Sequence, residues 1–160
     1  MRYLNSSHLY GYSSDICRTF FPPFFSKPED FSLLSRIAQH KIAIWDVVFE
    51  AQTKALDALR PHSSCASVDI AARTVITDAG YEKAFTHRVG HGIGIKAHES
   101  PYLNKGNIEE TLNAGMAFTL EPGVYLEEKF GVRHEDVFVV RENGEADILT
   151  GSRAKGPWDP

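Results

Sequence analysis

The run from His87 to Glu99 sets three imidazoles, His87, His91 and His98, among Gly90, Gly92 and Gly94. Downstream, isolated carboxylates sit in Leu120-Glu121-Pro122-Gly123 and in Arg133-His134-Glu135-Asp136. Histidine with several carboxylates, drawn from well-separated segments, is the donor set of a divalent-metal hydrolase site. Such groups are costly to gather unless a cation neutralises them.

Each residue also has a plainer reading. Glycines around His91 let the backbone approach something closely, yet an incidental histidine in a glycine-rich loop fits the same letters. The interleaved glycines disfavour a helix that would pair His87 with His91, and the His-Glu-x-x-His zinc spacing is absent. A β-type segment would let His87 and His91 point the same way, and likewise Ile93 and Ile95. Glu121 ends an apolar segment and needs a partner, for which an arginine would serve as well as a metal. Glu135 has Arg133 two residues away, and Asp15 has Arg18 close by. The joint occurrence of these groups in one short chain argues for a shared cation more strongly than any one of them.

The elements that must position them follow from periodicity. Tyr3-Leu4 and Leu9 to Tyr12 read as strands around an Asn5 to His8 turn, with the second strand continuing through Asp15. Pro28, Glu29 and Asp30 suit the first turn of a long helix carrying Leu34, Ile37, Ile44, Val48, Ala55 and Leu59, with Pro61 beyond its end. Ser67 is expected to cap a second helix that stops at Ala79-Gly80. After Tyr81 the pattern turns to short β runs: Ala117 to Leu120, Val124 to Leu126, and a single strand from Val132 to Val140. Asn143-Gly144 marks a tight turn leading to Ile148-Leu149. Strands, two helices and more strands predict an α+β fold.

Bulk properties narrow the function. At 160 residues, 42% of them hydrophobic, the chain is read as one domain spanning 1–160. A net charge of −4 with scattered lysines and arginines argues against nucleic acid or an anionic membrane as partner. No apolar run is long enough to span a bilayer, and the N-terminus lacks a secretory pattern. Cys17 and Cys65 lack metal-type spacing and are expected to be reduced packing residues, which fits a cytoplasmic location.

Taken in order, Gly11 to Phe20, His87 to Tyr102, Glu121-Pro122-Gly123 and Gly131 to Asp136 resemble the pita-bread metallopeptidases. That family includes methionine aminopeptidase, aminopeptidase P, prolidase and the metal-free creatinase, and the similarity favours the aminopeptidase P/prolidase branch. The resemblance implies that Asp15 and Glu135 bridge metals, that His91 and Glu121 complete the first metal's shell, and that Glu121 helps deprotonate the attacking water. It also implies that His98 contacts the scissile amide, that His87 is an outer histidine near substrate, and that Arg133 orients carboxylates. Tyr102 either lines the pocket or packs. The metal would be manganese, with cobalt, zinc or iron compatible, and a homodimer is in keeping with the prolidase-like branch.

Two departures qualify that pattern. The family carries another aspartate about eleven residues before the one matching Asp15, where this chain has Leu4, with Asn5 beside it. No Asp or Glu precedes Asp15, so the second metal site is expected to be impaired. The family's catalytic domain also has a substantial earlier segment, so the chain is expected to be its C-terminal portion. The leading expectation is a metal-dependent hydrolase that removes an N-terminal residue from peptides or dipeptides. The competing ones are creatinase-like C–N hydrolysis or lyase chemistry on a small molecule, and an inactive pseudoenzyme or binding module.

Overall fold

The computed structural model describes residues 3–22 and 24–160, with side chains described among these from Tyr10 onward. The helical spacing read from the sequence is realised in α1, Arg36–Ala58, whose residues Ile44, Val48, Ala51 and Ala55 form one buried face. The second helix, α2, Cys65–Asp78, buries Cys65, Val68, Ala72 and Ile76 on its matching face. The two faces meet and close over the sheet residues Leu103, Phe118, Leu120, Phe138 and Val140. Each such side chain, fully withdrawn from water, stabilises the fold by about 1.5–3 kcal/mol before entropy is counted.

Around the helices lie a ribbon, a five-stranded sheet and a hairpin. β1, Tyr3–Leu9, pairs antiparallel with β2, Tyr12–Cys17. The sheet contains β3 (Gly90–Gly92), β4 (Glu99–Leu103), β5 (Ala117–Leu120), β8 (Asp136–Val140) and β9 (Ala146–Ile148), in the order β4-β3-β5-β8-β9. Every neighbouring pair in it is antiparallel. β6 (Gly123–Leu126) and β7 (Phe130–Arg133) form the separate hairpin. This is the expected α+β arrangement.

Several boundaries differ from the sequence reading. Asn5 to His8 is not a turn: β1 runs through it, and the reversal falls at Tyr10-Gly11, both with positive φ (52° and 87°). α1 does not begin near Pro28. Asp30 instead accepts from the Ser32 N–H and caps a short 3-10 turn, and Ser35 Oγ caps the real helix by accepting from Ala38. Ser64, not Ser67, caps α2, with the Ser67 N–H as its donor. Val132 to Val140 is not one strand, because the chain leaves the β7 hairpin at His134-Glu135 and enters the main sheet at Asp136. The turn at Asn143-Gly144 (Gly144 φ +81°) and the stop of α2 at Ala79-Gly80 fall where expected. Cys17 and Cys65 are both buried and unpaired.

The glycines around His91 have a steric cause. A Cβ on Gly90 would lie 1.9 Å from the Thr119 carbonyl oxygen, and one on Gly92 would lie 2.7 Å from that of Glu99. Both neighbours are backbone and cannot swing away, so β3 threads between β4 and β5 only as glycine. Gly90→Ala is therefore expected to cost at least roughly 1–3 kcal/mol, the usual penalty of an overpacked core. A urea melt indistinguishable from that of the parent would refute this account of β3.

Candidate metal centre

Four separate segments bring the candidate donors together. His91 lies at the middle of β3, fixed by its N–H donating to Thr119 Oγ1 (3.1 Å). Glu121 follows β5 directly, and its N–H donates to the Val89 carbonyl (2.7 Å), tying it to the residue that leads into β3. Glu135 occupies the gap between β7 and β8, where its backbone exchanges two hydrogen bonds with Cys17 at the end of β2 (3.0 and 3.2 Å). That pairing carries Asp15, two residues earlier in β2, toward the same side.

The resulting cluster has donor geometry. One ligand atom each from His91, Glu121 and Glu135 lies within 4.8 Å of the others, and the same holds for Asp15, His91 and His98. The His91 and His98 rings are 4.1 Å apart, centre to centre. His91 Nδ1 donates to the Gly92 carbonyl (3.0 Å), which has no hydrogen to give, so the neutral ring presents its lone pair at Nε2. Nε2 is buried, 3.3 Å from Glu121 Oε1, and makes no hydrogen bond. A buried, unsatisfied acceptor facing a carboxylate suits a cation between them, as it would a proton carried by Glu121.

Electrostatics point the same way. Burial, and then the Asp15 charge, push Glu121 up to about 7 against the pull of Arg133 and Arg88. Burial and the neighbouring Glu121 and Asp15 charges push Glu135 up to about 8. Burial also raises Asp15 and holds His91 down to about 4. Three crowded carboxylates with elevated values are groups that would gain from a dication.

The remaining candidates sit as follows. His98 is exposed at the mouth beside His91. Arg133 Nη2 stands 3.6 Å from Glu135 Oε2, the arginine contact anticipated for that carboxylate. His87 is not gathered with the donors: it precedes β3, its Nδ1 faces the Arg88 carbonyl (2.7 Å), and its Nε2 faces the Tyr125 hydroxyl (2.9 Å). Nor do Ile93 and Ile95 share a face, since Ile93 is buried and Ile95 is 73% exposed. Arg18 pairs with Asp136 and not with Asp15. Tyr102 is partly exposed under the Arg88 guanidinium. The Leu4 and Asn5 side chains lie outside the described residues, but the register places Asn5 and Ser6 together opposite Asp15 across a bulge.

Sequence reasoning missed the supports behind the site. Asp136 is buried and accepts from Arg18, Thr150 Oγ1 (2.7 Å) and Gln52 Nε2 (3.1 Å), while Arg18 Nη1 also donates to the Glu135 carbonyl (2.8 Å). Gln52 Oε1 in turn accepts from Arg153 Nε (2.9 Å). On the other side, buried Asp69 in α2 accepts from Arg73 and from the Val89 N–H (2.8 Å), and Arg73 donates to the Phe85 and His87 carbonyls. Tyr125 was also overlooked. Its phenol, raised to about 12 chiefly by burial, occupies the space that a Cβ on Gly123 would invade, at 2.5 Å from its oxygen. A polar residue on the apolar stripe of a predicted helix, such as Gln52 or Asp69, was the available signal.

The fold is that of the pita-bread metallopeptidases. Residues 6–142 match the model of metallopeptidase family M24, to which the chain belongs. It is 38% identical over 154 residues to an uncharacterised peptidase of Schizosaccharomyces pombe, covering 95% of this chain and 32% of the relative. It is 40% identical over 134 residues to the Xaa-Pro dipeptidase of Lactobacillus delbrueckii subsp. lactis, covering 84% of this chain and 33% of the relative. The prolidase structure from Pyrococcus furiosus superposes with a TM-score of 0.78 at 33% identity, over 92% of this chain and 40% of that one. The chain thus spans about a third of the length of the curated relatives it matches. Family members use divalent metals, and no helix among the described residues is long and apolar enough to cross a membrane.

Proposed function

We propose that the chain carries the metal centre of a hydrolase that removes the N-terminal residue from short peptides, with proline after the scissile bond favoured. The observation that carries this is His91 Nε2, buried and without a hydrogen bond, facing the elevated carboxylates of Glu121 and Glu135. The prolidase and Xaa-Pro dipeptidase relatives support the choice of substrate.

In this reading His91, Glu121, Glu135 and Asp15 hold a divalent ion, manganese in the first instance, which polarises substrate and water when bound. Glu121, gathered with His91 and Glu135, is placed to take a proton from the attacking water and pass it to the leaving amine. His98, exposed beside His91, donates to the scissile carbonyl oxygen as negative charge develops there. Arg133 steadies Glu135, and His87, held by Tyr125, bounds the substrate side.

The test is metal content by mass spectrometry together with cleavage of an X-Pro dipeptide, for the parent and for Glu121→Ala. Bound metal and turnover in the parent, with turnover lost in the variant, are expected. Absence of bound metal, or equal turnover by the variant, contradicts the proposal.

A further inference from the structure

We infer that Arg88 is a specificity-determining residue that receives a carboxylate of the substrate, either the free C-terminal carboxylate of a dipeptide or an acidic side chain. The inference rests on the hydrolase reading above. Arg88 lies on the segment leading into β3, and its guanidinium stands over the Tyr102 ring, 4.9 Å from the centroid. Tyr102 is in turn the direct partner of His91 across the β3–β4 pair. Directly paired residues of neighbouring strands project from the same face, so Tyr102 carries the Arg88 head group on the face that presents His91. The charge is felt at the centre: after burial, Arg88 is among the influences on both Glu121 and His91.

This cation is held in place but not neutralised. Arg133 already stands by Glu135, whereas Arg88 forms no ion pair among the described residues, and its buried Nε makes no hydrogen bond. Its surroundings are nonetheless fixed. The Val89 N–H donates to Asp69 and to the Leu103 carbonyl, the Arg88 carbonyl meets His87 Nδ1, and the Tyr102 carbonyl accepts from Asn107 Nδ2 (2.9 Å). A cation over an aromatic ring is stabilised without consuming its in-plane donors. A guanidinium so placed is a preorganised fork for a carboxylate. An anionic substrate has need of it, since Asp15, Glu121 and Glu135 would otherwise repel it from the centre.

The experiment compares Ala-Pro with its amide, which differ in the terminal carboxylate, and the amides of Asp-Pro and Asn-Pro, which differ in the side-chain carboxylate. Dissociation constants are measured calorimetrically on the metal-free full chain, and Michaelis constants on the Mn2+-loaded one. A preference of at least about tenfold for the carboxylate form is expected in one of the two pairs, the worth of a charge-assisted contact, and that pair identifies which carboxylate is received. Arg88→Gln should bring the ratio close to unity and Arg88→Lys should restore part of it. Lys105→Gln, which removes an exposed cation on the loop after β4, should leave it unchanged. Each ratio is read within one variant, so a general loss of stability does not mimic the effect. Ratios near unity in both pairs for the parent, or a preference that survives Arg88→Gln, would overturn the inference and leave the hydrolase reading intact. If no ligand of either pair is bound or cleaved, both fall.

Discussion

Replacing Glu135 by glutamine is expected to move stability and function in opposite directions. In the metal-free protein, Glu135 is buried beside Glu121 and Asp15, and its carboxyl is pushed up to about 8 from an unfolded value near 4.5. For an acid raised on folding, the stabilising contribution is complete below the unfolded value and lost as pH rises through the folded one. Between about pH 4.5 and pH 8 the carboxylate therefore weighs increasingly against the metal-free fold. Glutamine keeps the shape and removes the charge, so Glu135→Gln should melt higher than the parent at pH 8 and similarly at pH 4. The same change deletes an anionic donor and leaves a weaker oxygen toward the ion. If the ion contributes several kcal/mol to the reaction, turnover should fall by about three orders of magnitude or more. Thermal melts at the two pH values, with and without Mn2+, check both halves. A variant less stable than the parent at pH 8 and equally active would contradict the account on both counts.

The second large effect lies behind the metal centre. Asp136 is almost wholly buried, and Arg18, only 10% exposed, is its ion-pair partner and also grips the Glu135 and Ser152 carbonyls. Asp136→Ala would leave the guanidinium buried without its counter-charge and take one acceptor each from the Gln52 amide, which keeps the Leu120 carbonyl, and from the Thr150 hydroxyl. Breaking a buried pair from one side costs roughly 3–5 kcal/mol, against zero to one for a surface pair. Exposed Arg141 and Asp147 supply that internal control. Denaturant melts should show a loss of the larger size for Asp136→Ala and almost none for Asp147→Ala. Comparable small losses for both would mean that the network does not brace Glu135.

The contrast between these two pairs shows what the sequence could and could not disclose. Periodicity exposed the stripes of α1 and α2 because their packing is local: Ile44, Val48, Ala51 and Ala55 recur at helical spacing whatever they face. The candidate donors His91, Glu121, Glu135 and Asp15 stood out singly only as polar groups in glycine and β-rich settings, and it was the resemblance to the pita-bread metallopeptidases that joined them into one ligand set. The bracing network was not legible. Arg18 meets Asp136 across 118 residues and Arg153 meets Gln52 across 101, and no local pattern in one chain selects those pairings.

The errors at element ends have similar causes. Pro28, Glu29 and Asp30 satisfy every rule for a helix start, yet they serve a 3-10 turn whose Phe31 ring packs edge-on against Trp158 near the other end of the chain. Val132 and the Val137 to Val140 run read as one strand, although the polar residues Arg133-His134-Glu135-Asp136 interrupt it where the chain changes sheet. The break is imposed by Glu135 pairing with Cys17, a contact that also aims the carboxylate at the centre. The strand expected to join His87 to His91 fails for a related reason. Arg73 holds the His87 carbonyl and Tyr125 its ring, so the strand that would have aligned it with His91 starts only at Gly90.

The most direct test is a crystal of the Mn2+-loaded chain, with anomalous scattering used to locate the ion. The account requires a peak within coordinating distance of His91 Nε2 and of carboxylate oxygens from Glu121, Glu135 and Asp15. A loaded crystal whose only peaks lie away from those four side chains would contradict it.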